Sequence, residues 1–508
     1  MHDNSSRRPF ANVRQQSGVT ETNSTRRGWL ESVGGGVAGA ALLSLLQRDG
    51  IAAEAANDAT PAASPTASTA RYDLRPRPPH FAPRANAVIQ LFMNGGPSQM
   101  DLFDPKEKLE KLHGQSYFDK IAGEVENPQQ AGALMRGLFK FAQHGHSGMW
   151  VSDAMPHLSQ CVDHITLLRG MYTTNLTHEP AIFKVHSGQE LMGHPALGSW
   201  ITYGLGSENQ DLPAYVVLDD PRGLPINKTQ SWQAGYLPPL YQGTRFRSTG
   251  SPVLNLERDF DEPTDATRVE RQLIGQIDRL HRNRNPFQPQ LESRIASYEL
   301  AARMQLAATD ALDLKQESPR TLEEYGVGRE PTDSYGRRCL YARRLVERGV
   351  RFVQLFIDAQ IWDNHSNLLT GLKSACDRTD QPIAALLTDL KRRGLLDTTL
   401  VLWGGEFGRL PIAQIGDDKD EKKAGRDHNK NAMVAWMAGG GVKSGYVHGG
   451  TDELGFAAVE GRVGVPDWHA TILHLLGLHH EDLYFLRNGL RNRLTGVNAA
   501  RVVTEILA

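Results

Sequence analysis

The most restrictive feature of this sequence is a strand, a long helix and a second strand in succession. Residues 350–357 (VRFVQLFI) and 399–403 (TLVLW) are apolar runs typical of buried strands. Between them, apolar residues recur at helical spacing until Gly394. Two strands that are joined through one helix lie parallel in the same sheet. The sequence therefore predicts an α/β fold with a mostly parallel central sheet.

Further apolar runs supply more strands for this sheet. Residues 87–93 (AVIQLFM) are apolar on both faces, and residues 433–437 have the same character. The shorter runs 165–168 and 215–218 are also strand candidates. By contrast, the stretch from 265 to about 317 is polar with helical spacing, which predicts a helical insertion or cap.

The N-terminus has the pattern of an export signal. Arg26 and Arg27 precede a Trp-Leu pair and an apolar run of 14 residues, 33–46, which resembles a twin-arginine signal read by the export machinery. The run is shorter than the roughly 20 residues of a membrane span. We therefore expect an exported protein, in the periplasm or at the cell surface, with no stable membrane span after processing. An uncleaved anchor is the alternative.

Composition and low-complexity sequence divide the chain further. We predict a signal region at 1–50, an Ala/Thr/Ser/Pro-rich linker at 51–80, and a folded domain at 81–508 with its helical insertion at about 260–330. The 56 Lys and Arg residues nearly balance the 58 Asp and Glu residues, which argues against a nucleic-acid partner. Three cysteines are too few for a disulfide scaffold or a cysteine-only metal site.

Chemically interesting residues follow three of the predicted strands. Residues 94–101 (NGGPSQMD) follow the first strand, Asp363 and His365 follow the second, and Glu406 follows the third. Ligands collect at the carboxyl ends of strands in open parallel sheets. We therefore expect these three clusters to meet in space.

The residue types in these clusters favour a divalent metal. Asp363 and His365 stand two residues apart and point to the same side of an extended chain. Such an O,N pair suits Zn, Mn or Fe. His428 lies in a polar loop before an apolar strand, and Glu406 ends a β-rich run on a glycine turn. The alternatives are a helix cap for Asp363, a solvated imidazole for His428 and a surface acid for Glu406.

The glycine-rich segment 94–101 offers a nucleophile. Pro97 predicts the first residue of a helix whose free N–H groups would face an anion. Ser98 is then either a nucleophile beside the metal or the N-cap of that helix. Asp101 lies one turn further on and could reach the same ion.

Several sequence blocks together resemble a known family. They are VIQLFMNGGPSQMDLFDPK, WDNH, GGEFGR, GRDHN and HATILHLLGL. In this order they resemble an exported, sulfatase-like family, domain of unknown function 1501, which is similar to the alkaline phosphatase and sulfatase superfamily. The resemblance extends from about residue 87 to the C-terminus. It implies an alkaline phosphatase-like fold with three α/β/α layers.

The resemblance also implies a ligand set. In the superfamily, acids and histidines after successive strands bind a pair of metals beside a Ser, Thr or modified Cys nucleophile. Carried over, Asp363, His365 and His428 would form one metal site. A second site would combine Glu406 with one of three residues of the glycine-rich segment, namely Asn94, Ser98 and Asp101.

This sequence departs from the superfamily pattern at two positions. Phe407 stands where a histidine is usual, and Asn94 stands where an acid is usual. The formylglycine sulfatase motif Cys-x-Pro-Ser-Arg is absent from the sequence. One metal, or one metal assisted by a basic side chain such as Arg409 or Arg426, is therefore an alternative to two metals.

Two further histidines are candidates for the cleft. The resemblance places the region of His178 in the cleft wall, where it would contact substrate or metal; a solvated loop is the alternative. His469 opens the last predicted helix, which Asp467 is placed to cap. His469 either faces the cleft and binds substrate or packs inside the fold.

These residues predict a metal-dependent hydrolase outside the cytoplasm. The substrate would be a phosphate or sulfate ester of a small molecule or glycan, and the cofactor one or two divalent ions, Zn or Mn. The alternative is a degenerate member that binds a carbohydrate, an anion or a partner protein without turnover.

Overall fold

The computed structural model describes residues 73–247, 264–285, 288–415, 423–497 and 499–508. The predicted export signal, with Arg26 and Arg27, lies outside these residues, and so does most of the predicted linker. Within the described part of the chain, no helix combines the length and apolar character that crossing a membrane requires. The predicted boundaries of the signal, linker and folded domain stay predictions.

Helices and strands follow one another in runs along the described chain, and the longest run of strands extends from residue 399 to residue 464. The α-helices are α1 (Gln99–Leu102), α2 (Glu107–Leu112), α3 (Phe118–Ile121), α4 (His178–Ser187), α5 (Leu197–Leu205), α6 (Thr264–Arg284), α7 (Pro289–Leu312), α8 (Pro319–Glu324), α9 (Asp333–Glu347), α10 (Leu368–Arg392) and α11 (Val465–Leu475). The strands are β1 (Ala87–Phe92), β2 (Ala131–Leu134), β3 (Phe141–His144), β4 (Met149–Ser152), β5 (Ile165–Tyr172), β6 (Tyr215–Leu218), β7 (Thr244–Phe246), β8 (Phe352–Leu355), β9 (Thr399–Gly404), β10 (Gly408–Arg409), β11 (Ile412–Gln414), β12 (His428–Asn429), β13 (Met433–Ala438), β14 (Tyr446–His448), β15 (Gly450–Thr451), β16 (Ala458–Glu460), β17 (Val463–Gly464), β18 (Tyr484–Arg487) and β19 (Leu490–Arg493).

A nine-stranded sheet forms the centre of the fold. Its order is β14-β5-β13-β9-β1-β8-β6-β7, with β17 beside β5. Among its described strands, only β13 runs against its neighbours. The helix α10 connects β8 to β9, and β1 lies between these two strands and parallel to both. The predicted strand-helix-strand unit and the mostly parallel sheet are confirmed.

Alternate side chains of β1 enter different apolar clusters. Ile89 and Leu91 point into a cluster shared with α7, α9 and α10, whereas Val88 and Phe92 point into one shared with α4, α5 and α11. Helices therefore cover both faces of the sheet, as strands that are apolar on both faces require. The three-layer α/β/α arrangement is confirmed. The helices α6 and α7 occupy the polar stretch that was predicted to be helical.

The turn after β1 differs from the expected geometry. The helix predicted to begin at Pro97 begins at Gln99 and has four residues. Gly95 and Gly96 both have positive φ, 113° and 78°, so the chain turns through the glycines before the helix starts. Ser98 occupies the N-cap position, but its side chain does not bond to the helix backbone.

Candidate metal centre

Three adjacent strands bring the predicted site residues to one edge of the sheet. Glu406 follows β9, Asp363 follows β8, and Gly95 follows β1 between them. The Gly95 N–H donates to Glu406 Oε1 at 3.0 Å. A Cβ on Gly95 would lie 2.5 Å from Asp363 N, so only glycine allows this close approach. The predicted meeting of the three clusters at the carboxyl edge is thus present in the fold.

Asp363 lies at the centre of three imidazoles. Its Oδ1 is 2.9 Å from His365 Nε2 and 3.1 Å from His428 Nε2, and its Oδ2 is 3.2 Å from His178 Nε2. Among the described residues, these four side chains offer ligand atoms that all lie within 4.8 Å of one another. Imidazole nitrogens together with a carboxylate oxygen suit Zn or Mn.

The outer nitrogen of each imidazole meets a side-chain oxygen. His178 Nδ1 lies 2.7 Å from Glu406 Oε1, and His428 Nδ1 lies 2.5 Å from Glu126 Oε2. The outer nitrogen of the third imidazole also meets such an oxygen; the pair is His365 Nδ1 and Gln414 Oε1. Histidines that bind metals commonly have their second nitrogen held in this way, which fixes the ring and aims the other nitrogen at the ion. The residues of this group therefore fit a divalent cation.

Charges inside the group shift several pKa values. Burial acts to raise the pKa of Asp363, but hydrogen bonds from the three imidazoles and the charge of Arg409 lower it far below the usual range. Burial acts to lower the pKa of His178, but hydrogen bonds to Asp363 and Glu406 outweigh it and raise this pKa to about 9. Asp363 likewise outweighs burial and raises the pKa of His365. Cations are therefore favoured at this position.

Glu406 lies behind the imidazoles rather than among the converging ligand atoms. Its side chain is fully buried, and both of its oxygens accept from the Gly95 N–H. Its Oε1 also pairs with His178 Nδ1. These bonds turn its oxygens toward the backbone and the outer side of His178. The sequence predicted a direct metal ligand; the structure does not bring Glu406 into the group of converging ligand atoms and places its Oε1 beside the outer nitrogen of His178.

Asp101 and Ser98 belong to a separate buried cluster. Ser98 Oγ donates to Asp101 Oδ2 at 2.5 Å, and Arg426 Nε donates to the same oxygen at 2.8 Å. The side chains of Asp101 and Arg426 are both fully buried. The structure therefore does not bring Asp101 or Ser98 into the imidazole group. Asp101 instead accepts hydrogen bonds from Arg426 and from the Ser98 hydroxyl.

Arg409 holds Asp363 from the inside of the fold. Its Nη2 donates to Asp363 Oδ1 at 2.7 Å, and its Nε donates to Gly96 O at 2.9 Å. It also donates to the carbonyls of Gly95 and Arg426. The guanidinium is almost fully buried. Its donors are directed to these partners, so Arg409 positions Asp363.

The remaining predicted residues have different surroundings. The buried Asn94 amide donates to the carbonyls of Ile357 and Ala359, which ties the end of β1 to the segment before Asp363. His469 is fully buried, and its Nε2 lies 2.7 Å from Val185 O. The structure supports the packing alternative for His469 and does not bring it into the imidazole group. His178, predicted to contact substrate or metal, does join the group.

A family comparison accounts for nearly the whole described fold. The family described as "Protein of unknown function (DUF1501)" matches residues 85–507. The chain belongs to this family. The DUF1501 match begins just before β1 and confirms the family resemblance drawn from the sequence blocks. No curated protein matches this DUF1501 chain.

Solved structures with some similarity come from several enzymes. The lipoteichoic acid synthase LtaP from Listeria monocytogenes is 10% identical, with a TM-score of 0.33 over 80% of this chain and 76% of that chain. The PsFucS1 sulfatase from Pseudoalteromonas sp. is 12% identical, with a TM-score of 0.34 over 78% and 68%. The alkaline phosphatase from the Antarctic bacterium TAB5 is 12% identical, with a TM-score of 0.29 over 77% and 98%. At these scores the similarity carries no information about the site of the DUF1501 chain.

Proposed function

We propose that this protein is an exported, metal-dependent hydrolase of phosphate or sulfate esters. The observation that carries the proposal is the group of imidazoles around Asp363, each with its outer nitrogen held by a side-chain oxygen. Asp363, His365 and His428 would hold the ion, a three-ligand set that leaves positions open for substrate as catalytic zinc sites do. A bound divalent ion would polarise an ester oxygen and activate water.

His178 is the proposed proton donor. Both of its nitrogens pair with carboxylates, Nε2 with Asp363 and Nδ1 with Glu406, and these contacts raise its pKa to about 9, which favours the protonated imidazole. A protonated imidazole at the site can transfer its proton to the leaving oxygen as the ester bond breaks. The proposed nucleophile is water, because Ser98 Oγ is bonded within the buried cluster of Asp101 and Arg426.

Turnover with and without added metal tests the proposal. Protein loaded with Zn or Mn is expected to hydrolyse aryl phosphate or aryl sulfate esters, and Asp363→Ala is expected to abolish turnover. His178→Asn should slow the hydrolysis of alkyl esters, which have poor leaving groups, more than the hydrolysis of aryl esters, since only the alkyl leaving groups need a proton donor. His146→Ala, an exposed histidine outside the group, is the matched control. Absence of metal-dependent turnover, or full turnover in Asp363→Ala, would contradict the proposal.

A second candidate is binding of a carbohydrate or anion without turnover. The burial of Ser98 and Arg409 favours binding without turnover, because the polar atoms of both side chains bond to other groups of the protein. Equilibrium binding of inorganic phosphate or sulfate by metal-loaded protein, without hydrolysis of any ester tested, would select this candidate. The export part has its own test, which is the N-terminal sequence of protein recovered from the periplasm.

A further inference from the structure

A β-hairpin near the C-terminus carries exposed apolar and basic side chains. The strands β18 and β19 pair antiparallel and are joined by Asn488 and Gly489, with φ of 52° and 76°. Two residues with positive φ form a turn that follows the natural twist of the strands, which gives a well-defined hairpin. Beside this turn, Leu486 is 61% exposed and Leu490 is 70% exposed.

The two leucines lie on opposite faces of the hairpin tip. In the register of the pair, Leu486 stands opposite Arg491, and Leu490 stands opposite Arg487. Successive pairs of a hairpin point to alternate faces, so each face presents one leucine and one arginine. A flat protein surface would cover one face only, whereas the boundary layer of a lipid bilayer surrounds an inserted tip on both sides. The arginine stems can lie along the acyl boundary while their guanidinium groups stay among headgroups.

A second apolar projection lies next to the hairpin. Leu191 and Met192 are 73% and 61% exposed, in the loop that follows α4. At the start of this loop, a Cβ on Gly188 would lie 2.0 Å from Leu494 O, directly after β19. At its end, the ring of His194 contacts Tyr236, which stacks on Phe485 of β18. The loop and the hairpin therefore form one surface with apolar projections.

The charge of the hairpin selects an anionic partner. Arginines occur at 487, 491 and 493, and no acid occurs from 484 to 494. Arg493 lies 3.6 Å from Glu481, and Arg487 and Arg491 lie over tyrosine rings. Anionic lipid surfaces attract such basic groups, and apolar side chains beside them insert at the acyl boundary. We propose that the tip of this hairpin docks on a bilayer surface rich in anionic phospholipid.

Sedimentation with vesicles tests this proposal on the full chain. Vesicles of equal parts phosphatidylglycerol and phosphatidylcholine are expected to bind the protein, and vesicles of phosphatidylcholine alone to bind it more weakly. Leu486→Ser with Leu490→Ser should raise the lipid concentration for half-maximal binding about tenfold or more. Arg487→Gln with Arg491→Gln should weaken binding to anionic vesicles about fivefold per arginine and reduce its salt dependence.

The matched control replaces exposed apolar residues elsewhere. Leu369→Ser with Val459→Ser removes two exposed apolar side chains outside this surface and should leave vesicle binding unchanged. All variants keep the N-terminal apolar run, so a difference between them reports on the hairpin. Equal binding by the leucine variant and the wild type would overturn the proposal. The proposal would also be overturned if neither protein bound vesicles and the wild type were a dimer that the leucine variant did not form. The hairpin would then be a self-association surface.

Discussion

Glu406→Gln is the most direct test of how the centre is built. Glu406 Oε1 lies 2.7 Å from His178 Nδ1, and we propose that this carboxylate keeps the imidazole protonated and aligned. Glutamine keeps the size of the side chain and one oxygen but removes the charge. The variant therefore separates the electrostatic contribution of Glu406 from its contribution to packing.

The pKa of His178 sets the expected magnitude. Its rise from 6.5 to about 9 corresponds to about 3 kcal/mol of preference for the charged imidazole. Burial opposes this rise, and two carboxylates, Asp363 and Glu406, share it. Removing one of them is expected to lower the pKa by about 1 or more. In the metal-free protein, the contact between His178 and Glu406 contributes fully to folding stability below pH 6.5, and this contribution is lost as pH rises through about 9. In Glu406→Gln, the free energy of unfolding should therefore fall less over this alkaline range.

Nuclear magnetic resonance titration of the histidine rings measures this pKa in protein freed of metal by a chelator. Loss of the signal in His178→Asn assigns it. Asp380→Asn, which removes a buried acid bonded to His157 N and Leu158 N on another part of the fold, is the matched control and should leave the pKa unchanged. If the pKa of His178 were the same in wild type and Glu406→Gln, the carboxylate would not act on this imidazole and the assigned role would be refuted.

Three further outcomes are expected. Asp101→Asn should lower the free energy of unfolding by about 3–5 kcal/mol in urea titrations, because Arg426 stays buried without its charge partner. The Zn affinity should be unchanged. A large loss of Zn affinity would mean that Asp101 is a metal ligand after all. Glu126→Gln should weaken Zn binding about 10- to 100-fold in chelator competition, because it loosens His428; unchanged affinity would exclude that role. Burial lowers the pKa of His469 to about 3, so its contribution to stability is present above pH 6.5 and is lost as pH falls toward 3. In thermal melts, His469→Gln should therefore lose less stability in acid than the wild type. An identical pH profile of the two proteins would contradict the reasoning.

The meeting of Asp363, His365 and Glu406 at one sheet edge was predictable because it depends on local patterns. Apolar runs define β8 and β9, the helical spacing between them requires a parallel crossover, and parallel strands place their following residues at the same edge. Gly95 carries a signal as well, since glycines after a buried strand indicate close backbone approach. The strand assignments alone therefore place these residues at one edge of the sheet.

The partners of these residues were not predictable in the same way. Glu126 lies in a region of short helices and turns, and it reaches His428 because β2 pairs with β11 across the chain. Likewise, Asp101 meets Arg426 over a separation of 325 residues. Nothing in the spacing of a lone acid shows whether a distant arginine will neutralise it. Long-range pairing of short elements thus determines which acids lie at the imidazoles and which lie elsewhere in the fold.

The charges around the imidazoles set a limit on how many ions the centre needs. Four carboxylates contact the three imidazoles: those of Glu126, Asp363, Glu406 and Asp427. Arg409 and a protonated His178 balance two of them, which leaves two negative charges, one of them on the exposed Glu126. One divalent cation neutralises that excess, whereas a second would leave a net positive centre. We therefore expect one ion per chain by elemental analysis. A second group of converging ligand atoms consists of Glu126, Asp427 and His428. Two ions per chain would mean that this group holds an ion of its own. Glu126 would then be a ligand rather than the residue that aligns His428.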